Sequence, residues 1–228
     1  MVFVCYTLSM KDVEWIFFDI GGVLADESEF QQIRENYNWE TVKNFEPGVT
    51  KEDVLILWKE ASRMLGDLDV NVITLALKNK ENLKEAIILM KENRSKAPKY
   101  YDLLKIRTEA LGVVIELSKK YKLGLMANQN ILVKDKLKEA GIISYFQNAE
   151  VSDDYKLEKP DPKFFLKIFE TTGANPLKSI IIGDNIERDL EPAKKLGMIT
   201  IWYKLKEREV PNEFVDKTIE SLTELLVL

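Results

Sequence analysis

Four places in this chain put a reactive side chain where a ligand can reach it. They are Asp19 at the end of the apolar run WIFF, Asn128 within KLGLMANQN, Lys159 within EKPDP, and Asp184 with Asp189 in GDNIERD. A carboxylate such as Asp19 can serve as a nucleophile, splitting one difficult transfer into two easier steps through a covalent intermediate. Gly21 and Gly22 follow it directly, and without a Cβ their main chain can approach an anion closely. Attack by one anion on another is repulsive unless positive charge stands nearby. Asp161 and Pro162 read as the N-cap and first-turn proline of a helix, so the functional expectation in that segment rests on Lys159 alone. The chain has no histidine. That removes Ser-His-Asp and Cys-His catalysis, His-ligated zinc and imidazole acid–base work, leaving carboxylates, lysines, amides and hydroxyls.

Strand ends must deliver these residues. Short apolar runs bounded by glycine or polar residues read as buried strands, and Asp19, Asn128 and Asp184 each follow one. In an open α/β sheet ligands bind beyond the carboxyl ends of the strands, so three parallel neighbours would bring these side chains to one crevice. From about residue 100 the two patterns alternate. A helix is expected over 101–120, then a strand ending at Asn128, a helix over 133–140 stopped by Gly141, and an extended piece over 145–151. A helix from Pro162, the strand SIIIGD, the helix RDLEPAKKLG, the strand MITIWY and a final amphipathic helix over 218–226 follow. Such alternation predicts an α/β fold with a Rossmann-like, doubly wound parallel sheet. Residues 26–98 instead carry apolar residues at helical spacing, with a helix-start box at Thr50 and Asp53 and a linker at RSKAPK. The expected organisation is a core over 1–25 and 99–228, with an all-helical cap inserted over 26–98.

At 228 residues, 46% hydrophobic and 31% charged, the chain can bury a sizeable core as one domain or as a core with an insertion. A net charge of -5 argues against nucleic-acid or membrane-surface partners. The single Cys5 excludes an intrachain disulfide and favours a reducing, cytoplasmic compartment. The opening MVFVCYTLSM is too short to span a bilayer and lacks a basic leader region. It is expected to be an extra strand, a frayed tail or a stretch ahead of a true start at Met10.

The order and spacing of DIGGVL, Asn128, EKPDPKFF and GDNIERD, with a helical insertion after the first, resemble the haloacid dehalogenase superfamily of aspartyl-nucleophile hydrolases over about residues 12–203. The resemblance implies a Mg²⁺-dependent hydrolase, most simply a phosphatase of a small phosphorylated metabolite, working through an aspartyl phosphate on Asp19. It makes Asp19, Asp184 and the main-chain carbonyl of Gly21 the metal ligands, in keeping with the preference of Mg²⁺ for hard oxygen donors. Asp189, in the first turn of the next helix, would hold a metal-bound water or Lys159 from behind. Lys159 would neutralise the phosphate and hold the nucleophile, and Gly22, Asn128 and Lys159 would contact the phosphate. Cap closure would exclude water during transfer, with Arg34, Arg63 and Arg94 as the cap cations to test for substrate contact.

Two positions depart from the family pattern. Most phosphatases of the superfamily place an aspartate two residues after the nucleophile as general acid and base, where this chain has Gly21. Losing such a group costs about 10² to 10⁴ in rate. Asp26 or Glu27 could replace it, or the leaving group could need no proton, and Gly21→Asp would then be expected to raise rates on poor leaving groups. Ala127 stands where the family has a Ser or Thr, a role open to main-chain amides, Asn128 or Gln129. The alternatives are a dehalogenase or C–P bond hydrolase, or a binding protein without turnover on the same fold. Family dehalogenases work without Mg²⁺, so activity in EDTA would separate the first of these.

Overall fold

The computed structural model describes residues 12–205 and 210–228, and the expectations for residues 1–10 lie outside them. The chain runs β1 (Trp15–Phe18), β2 (Ala25–Asp26), α1 (Ser28–Phe45), α2 (Lys51–Ala61), α3 (Leu68–Ala76), α4 (Leu83–Lys96), α5 (Tyr100–Leu103) and β3 (Lys105–Ile106). It continues through α6 (Ala110–Ser118), β4 (Lys122–Leu125), α7 (Val133–Glu139), α8 (Ser152–Tyr155), α9 (Pro162–Thr172), β5 (Ser179–Gly183), α10 (Glu191–Lys195), β6 (Ile199–Tyr203) and β7 (Lys217–Ile219). Five strands form one sheet in the order β4-β1-β5-β6-β7, every pairing parallel. This is the Rossmann-like α/β core, with helices on both faces.

Strand periodicity divides the core between those faces. Ile16 and Phe18 join Leu123, Leu125, Ile180 and Ile182 on one side, with Val113 and Val114 of α6. Trp15 and Phe17 join Ile181 and Trp202 on the other, with Phe164, Phe165 and Ile168 of α9. Burial on both faces explains why WIFF and SIIIG are continuous apolar runs rather than alternating ones. Since β1 lies between β4 and β5, the residues just past these three strand ends are neighbours at one rim. That topology positions the site.

Helices α1 to α4 build a separate apolar cluster around Tyr37, Val42, Val54, Val72, Ile73 and Met90. The chain leaves the sheet through β2 and returns through β3, which pair antiparallel. Thr50 and Asp53 form the expected capping box at the start of α2, and Asp161 caps α9 with Pro162 in its first turn. Among the described residues no helix is long and apolar enough to cross a membrane.

Several boundaries differ from expectation. The final helix is absent: residues 217–219 add a parallel strand to β6, and a 3₁₀ segment, Leu222–Val227, follows a Ser221 cap. The helix expected over 101–120 is interrupted because Lys105 and Ile106 pair with β2. The strand after residue 121 ends at Leu125, three residues before Asn128. The last helical stretch of the insertion splits at Lys80–Asn82, where the Asn79 side chain accepts from Glu81 N. Its second helix runs to Lys96, through the first half of the expected linker. The piece expected to be extended over 145–151 retains a single bridge, Asn148 to Gly124.

Candidate active site

Asp19 sits one residue past β1, its N–H donating to Ile182 O of β5 (2.9 Å), and its side chain is 4% exposed. One carboxylate oxygen accepts from Ile20 N at 2.8 Å; the other lies 3.0 Å from Lys159 Nζ. Lys159 is buried and forms a second ion pair, 2.8 Å to Asp189 Oδ1. Asp189, fully buried, also takes Arg188 Nε at 3.1 Å and Asn185 N at 3.1 Å. Asp184 follows β5 directly, and Arg188, one helical turn on, reaches Asp184 Oδ1 at 3.7 Å and Asp19 Oδ2 at 3.5 Å. The structure therefore brings Asp19, Lys159, Asp184 and Asp189 together. It adds Arg188, which the motif reading passed over although its spacing of four from Asp184 is that of facing residues on a helix.

Asn128 lines the crevice, and its amide is tied to the lysine loop. Its Nδ2 donates to Lys159 O (2.8 Å) and its Oδ1 accepts from Lys159 N (2.8 Å). With both ends of the amide bound to the Lys159 main chain, the side chain fixes the lysine loop, and the second N–H of Nδ2 is not used in these bonds. Lys159 in turn lies between two buried carboxylates, and removing one partner of a buried pair typically costs about 3–5 kcal/mol. Lys159→Met should lower unfolding free energy by that order in urea titrations of the metal-free protein. A loss under about 1 kcal/mol would mean that the two acids tolerate its absence, against the buried-pair cost.

Burial governs the electrostatics. It pushes the Asp19 carboxyl up to about 6, with Lys159 opposing and Asp189 adding to the rise. Burial also raises Asp184 well above the carboxylate range, reinforced by Asp189, and Arg188 offsets only part of it. Asp189 is equally buried, yet Lys159 and Arg188 hold its carboxyl below the usual value. Burial opposes the charge on Arg188, but Asp189, Asp19 and Asp184 together outweigh it and raise its pKa. Three carboxylates thus face two cations, and the shortfall falls on Asp184.

That shortfall is where a metal fits. One oxygen from each of Asp19, Asp184 and Asp189 lies within 4.8 Å of the others, and Asp184 Oδ1 is buried without a hydrogen-bond partner among the described residues. The donor set is all hard oxygen, which suits Mg²⁺. Asp189 answers Lys159, Arg188 and Asn185 N and Asp19 answers Ile20 N, Lys159 and Arg188, so Asp184 is the acid with an oxygen to spare for an ion.

Both glycines after Asp19 are held by what packs against them. Gly22 has φ +76, and a Cβ there would collide with the Asp184 carboxylate. A Cβ at Gly21 would collide with Glu27 Oε2, and the Tyr100 hydroxyl lies 3.2 Å from the same point. Glu27 therefore fills the space that a side chain at position 21 would occupy. Tyr100 Oη donates to Glu27 Oε2 (2.8 Å), Gln31 Nε2 to Glu27 Oε1 (2.8 Å), and Gln129 Nε2 to Tyr100 Oη (2.8 Å). Burial, then the neighbouring Glu27, raises the Tyr100 pKa well above 10. Asp26, the other acid considered for this task, instead accepts from Ser28 N at 2.9 Å and does not line the cavity. Ala127 is buried, its carbonyl accepting from Ser152 N at 3.0 Å; Gln129 supports Tyr100.

A cavity of about 730 Å³ lies between the strand ends and the inserted helices, with Asp19, Gly21, Glu27, Asn128 and Arg188 on the core side. Of the three arginines singled out above, Arg34 and Arg94 line it. Arg63 does not; it bridges to Glu60, Glu187 and Glu191 at 3.2 to 3.6 Å, fastening α2 to the core.

Residues 16–203 match the family model described as Haloacid dehalogenase-like hydrolase. The chain is 28% identical to a glyceraldehyde 3-phosphate phosphatase of Methanocaldococcus jannaschii, over 94% of this chain and 96% of that one. In fold it is similar to a haloacid dehalogenase-like hydrolase of Bacteroides fragilis, with a TM-score of 0.67 at 17% identity over 93% of this chain and 99% of that one. It is also similar to the hydrolase YfnB of Bacillus subtilis bound to magnesium, with a TM-score of 0.62 at 19% identity over 93% and 96% of the two chains.

Proposed function

The chain belongs to the haloacid dehalogenase-like hydrolases, and from that we propose that it is a Mg²⁺-dependent phosphatase of a small phosphorylated metabolite, with Asp19 as its nucleophile. The observation that carries this reading is the meeting of Asp19, Lys159, Asp184 and Asp189 beyond the ends of β1 and β5. The phosphatase name of the archaeal relative supports the substrate class, and the magnesium in the Bacillus neighbour supports the ion.

Asp19 attacks phosphorus, and the bond from phosphorus to the ester oxygen breaks. Lys159, paired with Asp19, lowers the repulsion between nucleophile and phosphate and holds the carboxylate in place. The departing oxygen takes a proton from Glu27, which stands where the family's aspartate side chain would be. In the second step water attacks the aspartyl phosphate, gives its proton to Glu27, and phosphate leaves with Asp19 restored. Mg²⁺ held by Asp19, Asp184 and the Gly21 carbonyl would supply positive charge to the phosphate oxygens. The inserted helices act as a cap over the cavity and limit water access.

The test is phosphate release from a panel of small phosphate esters with Mg²⁺ and with EDTA. Release should require the ion and return when it is restored, and Mg²⁺ should raise the melting temperature of the wild type but not of Asp184→Ala. Turnover undiminished in EDTA would remove the metal from the reaction, and no release from any ester would remove the phosphatase reading.

A further inference from the structure

The phosphate end of a substrate accounts for only one side of the cavity. From the inserted helices, α1 contributes Arg34, whose side chain is 18% exposed and lines the cavity. Its Nε is tied to Asp69 Oδ1 at 2.6 Å. Asp69 is itself almost wholly buried and also takes the Tyr37 hydroxyl (2.7 Å), Asn38 Nδ2 (2.9 Å) and Arg94 NH1 (3.3 Å). The guanidinium carbon stands 5.1 Å from the ring centroid of Trp58. Arg34 is therefore anchored from behind by a buried acid and from the side by an aromatic face. Its two terminal amino groups make no hydrogen bond to any described residue.

An arginine anchored through Nε keeps a fork of two terminal amino groups, the geometry that matches a carboxylate or phosphate. Arg94 differs, since its NH1 is spent on Asp67 (2.6 Å) and Asp69. Holding a flexible arginine in one pose beforehand lowers the entropy cost of ligand binding, and Asp69 with Trp58 does that for Arg34.

We propose that Arg34 is the specificity residue for a second anionic group, so that the substrate is a small phosphate ester carrying a carboxylate or a further phosphate at its other end. The inference rests on the phosphatase reading for the position of the first phosphate. It assigns Arg34 to recognition, not to the chemical step. Asp69 is a positioning residue that acts through Arg34.

The experiment compares 3-phosphoglycerate, which has a carboxylate opposite its phosphate, with glycerol 3-phosphate, which has neutral hydroxyls there. In the wild type kcat/KM should favour the first by about 10- to 100-fold, the range for a charge-assisted hydrogen-bonded pair. In Arg34→Ala that ratio should fall to near one, chiefly through KM, and Arg34→Lys should retain part of it, with melting temperatures confirming that both variants fold. Equal efficiency on the two esters in the wild type, or a ratio that Arg34→Ala leaves unchanged, would overturn the subsite while the phosphatase reading stood. Should neither ester be hydrolysed, calorimetric titration of Asp19→Asn with the same two compounds decides the subsite, and the phosphatase reading is decided by the wider ester panel. Tighter binding of 3-phosphoglycerate that disappears in the Asp19→Asn, Arg34→Ala double variant supports it. Equal binding, or none, overturns it.

Discussion

Asp19→Asn should reduce turnover by about 10⁴-fold or more, the scale seen when a nucleophile is removed and only binding and electrostatic stabilisation persist. The substitution is isosteric, so the hydrogen bond from Ile20 N, at 2.8 Å, retains its acceptor. What disappears is the anion that attacks phosphorus. Stability should move the other way. A folded-state pKa raised to about 6 by burial means that folding disfavours the Asp19 charge. At pH 7 the wild type carries that charge, and the neutral amide does not. Lys159 keeps its partner Asp189 at 2.8 Å, so no buried cation is orphaned. The metal-free variant should therefore melt no lower than the wild type, while phosphate release with Mg²⁺ falls to background. Activity within tenfold of wild type would remove Asp19 from the chemistry. Lost activity with a collapsed melting temperature would recast it as a structural acid.

The residues that could be read without coordinates are those whose neighbours in sequence already state their role. Asp19 ends a run of four apolar residues, and β1 ends there for that reason: the strand is buried on both faces, and the first carboxylate marks the rim. Thr50 with Asp53 and Asp161 with Pro162 carry their caps within one helical turn. What stayed hidden depends on distant pairing. Thr218 and Ile219 resembled a helix start because the following leucines recur at helical spacing, yet the edge of β6 claims the segment first. β2 and β3 have two residues each, too few to show a period. Asn128 was recognisable as a rim residue, but not that both ends of its amide would serve the Lys159 main chain, 31 residues on. Arg188 lay inside a recognised motif; only its position within 3.1 to 3.7 Å of three acids shows that it belongs to their charge balance.

Glu27 is the sharpest case, since the sequence reading offered it beside Asp26 and predicted that Gly21→Asp alone would raise rates on poor leaving groups. The geometry reverses that expectation. A Cβ at position 21 collides with Glu27 Oε2, so the new side chain must displace the existing one, and two carboxylates would crowd one site, where like charges oppose ionisation. Gly21→Asp alone should therefore give no gain, and kcat should fall. Glu27→Gln keeps the volume and loses the proton carrier, and should lower kcat on alkyl phosphates by about 10² to 10⁴. On p-nitrophenyl phosphate, whose leaving group departs without a proton, the same variant should lose far less in the first step. Glu27→Ala combined with Gly21→Asp removes the collision and supplies an acid from the family's usual position, so it should recover most of what Glu27→Ala loses. The two substitutions would then be strongly non-additive, as expected of residues that share one site. Gly21→Asp alone accelerating alkyl ester hydrolysis would show that Glu27 carries no proton. A Glu27→Gln loss in kcat/KM, which reports the first step, equal on alkyl and aryl esters would assign Glu27 there to holding Tyr100 and Gln31, at 2.8 Å each, rather than to protonating the leaving group.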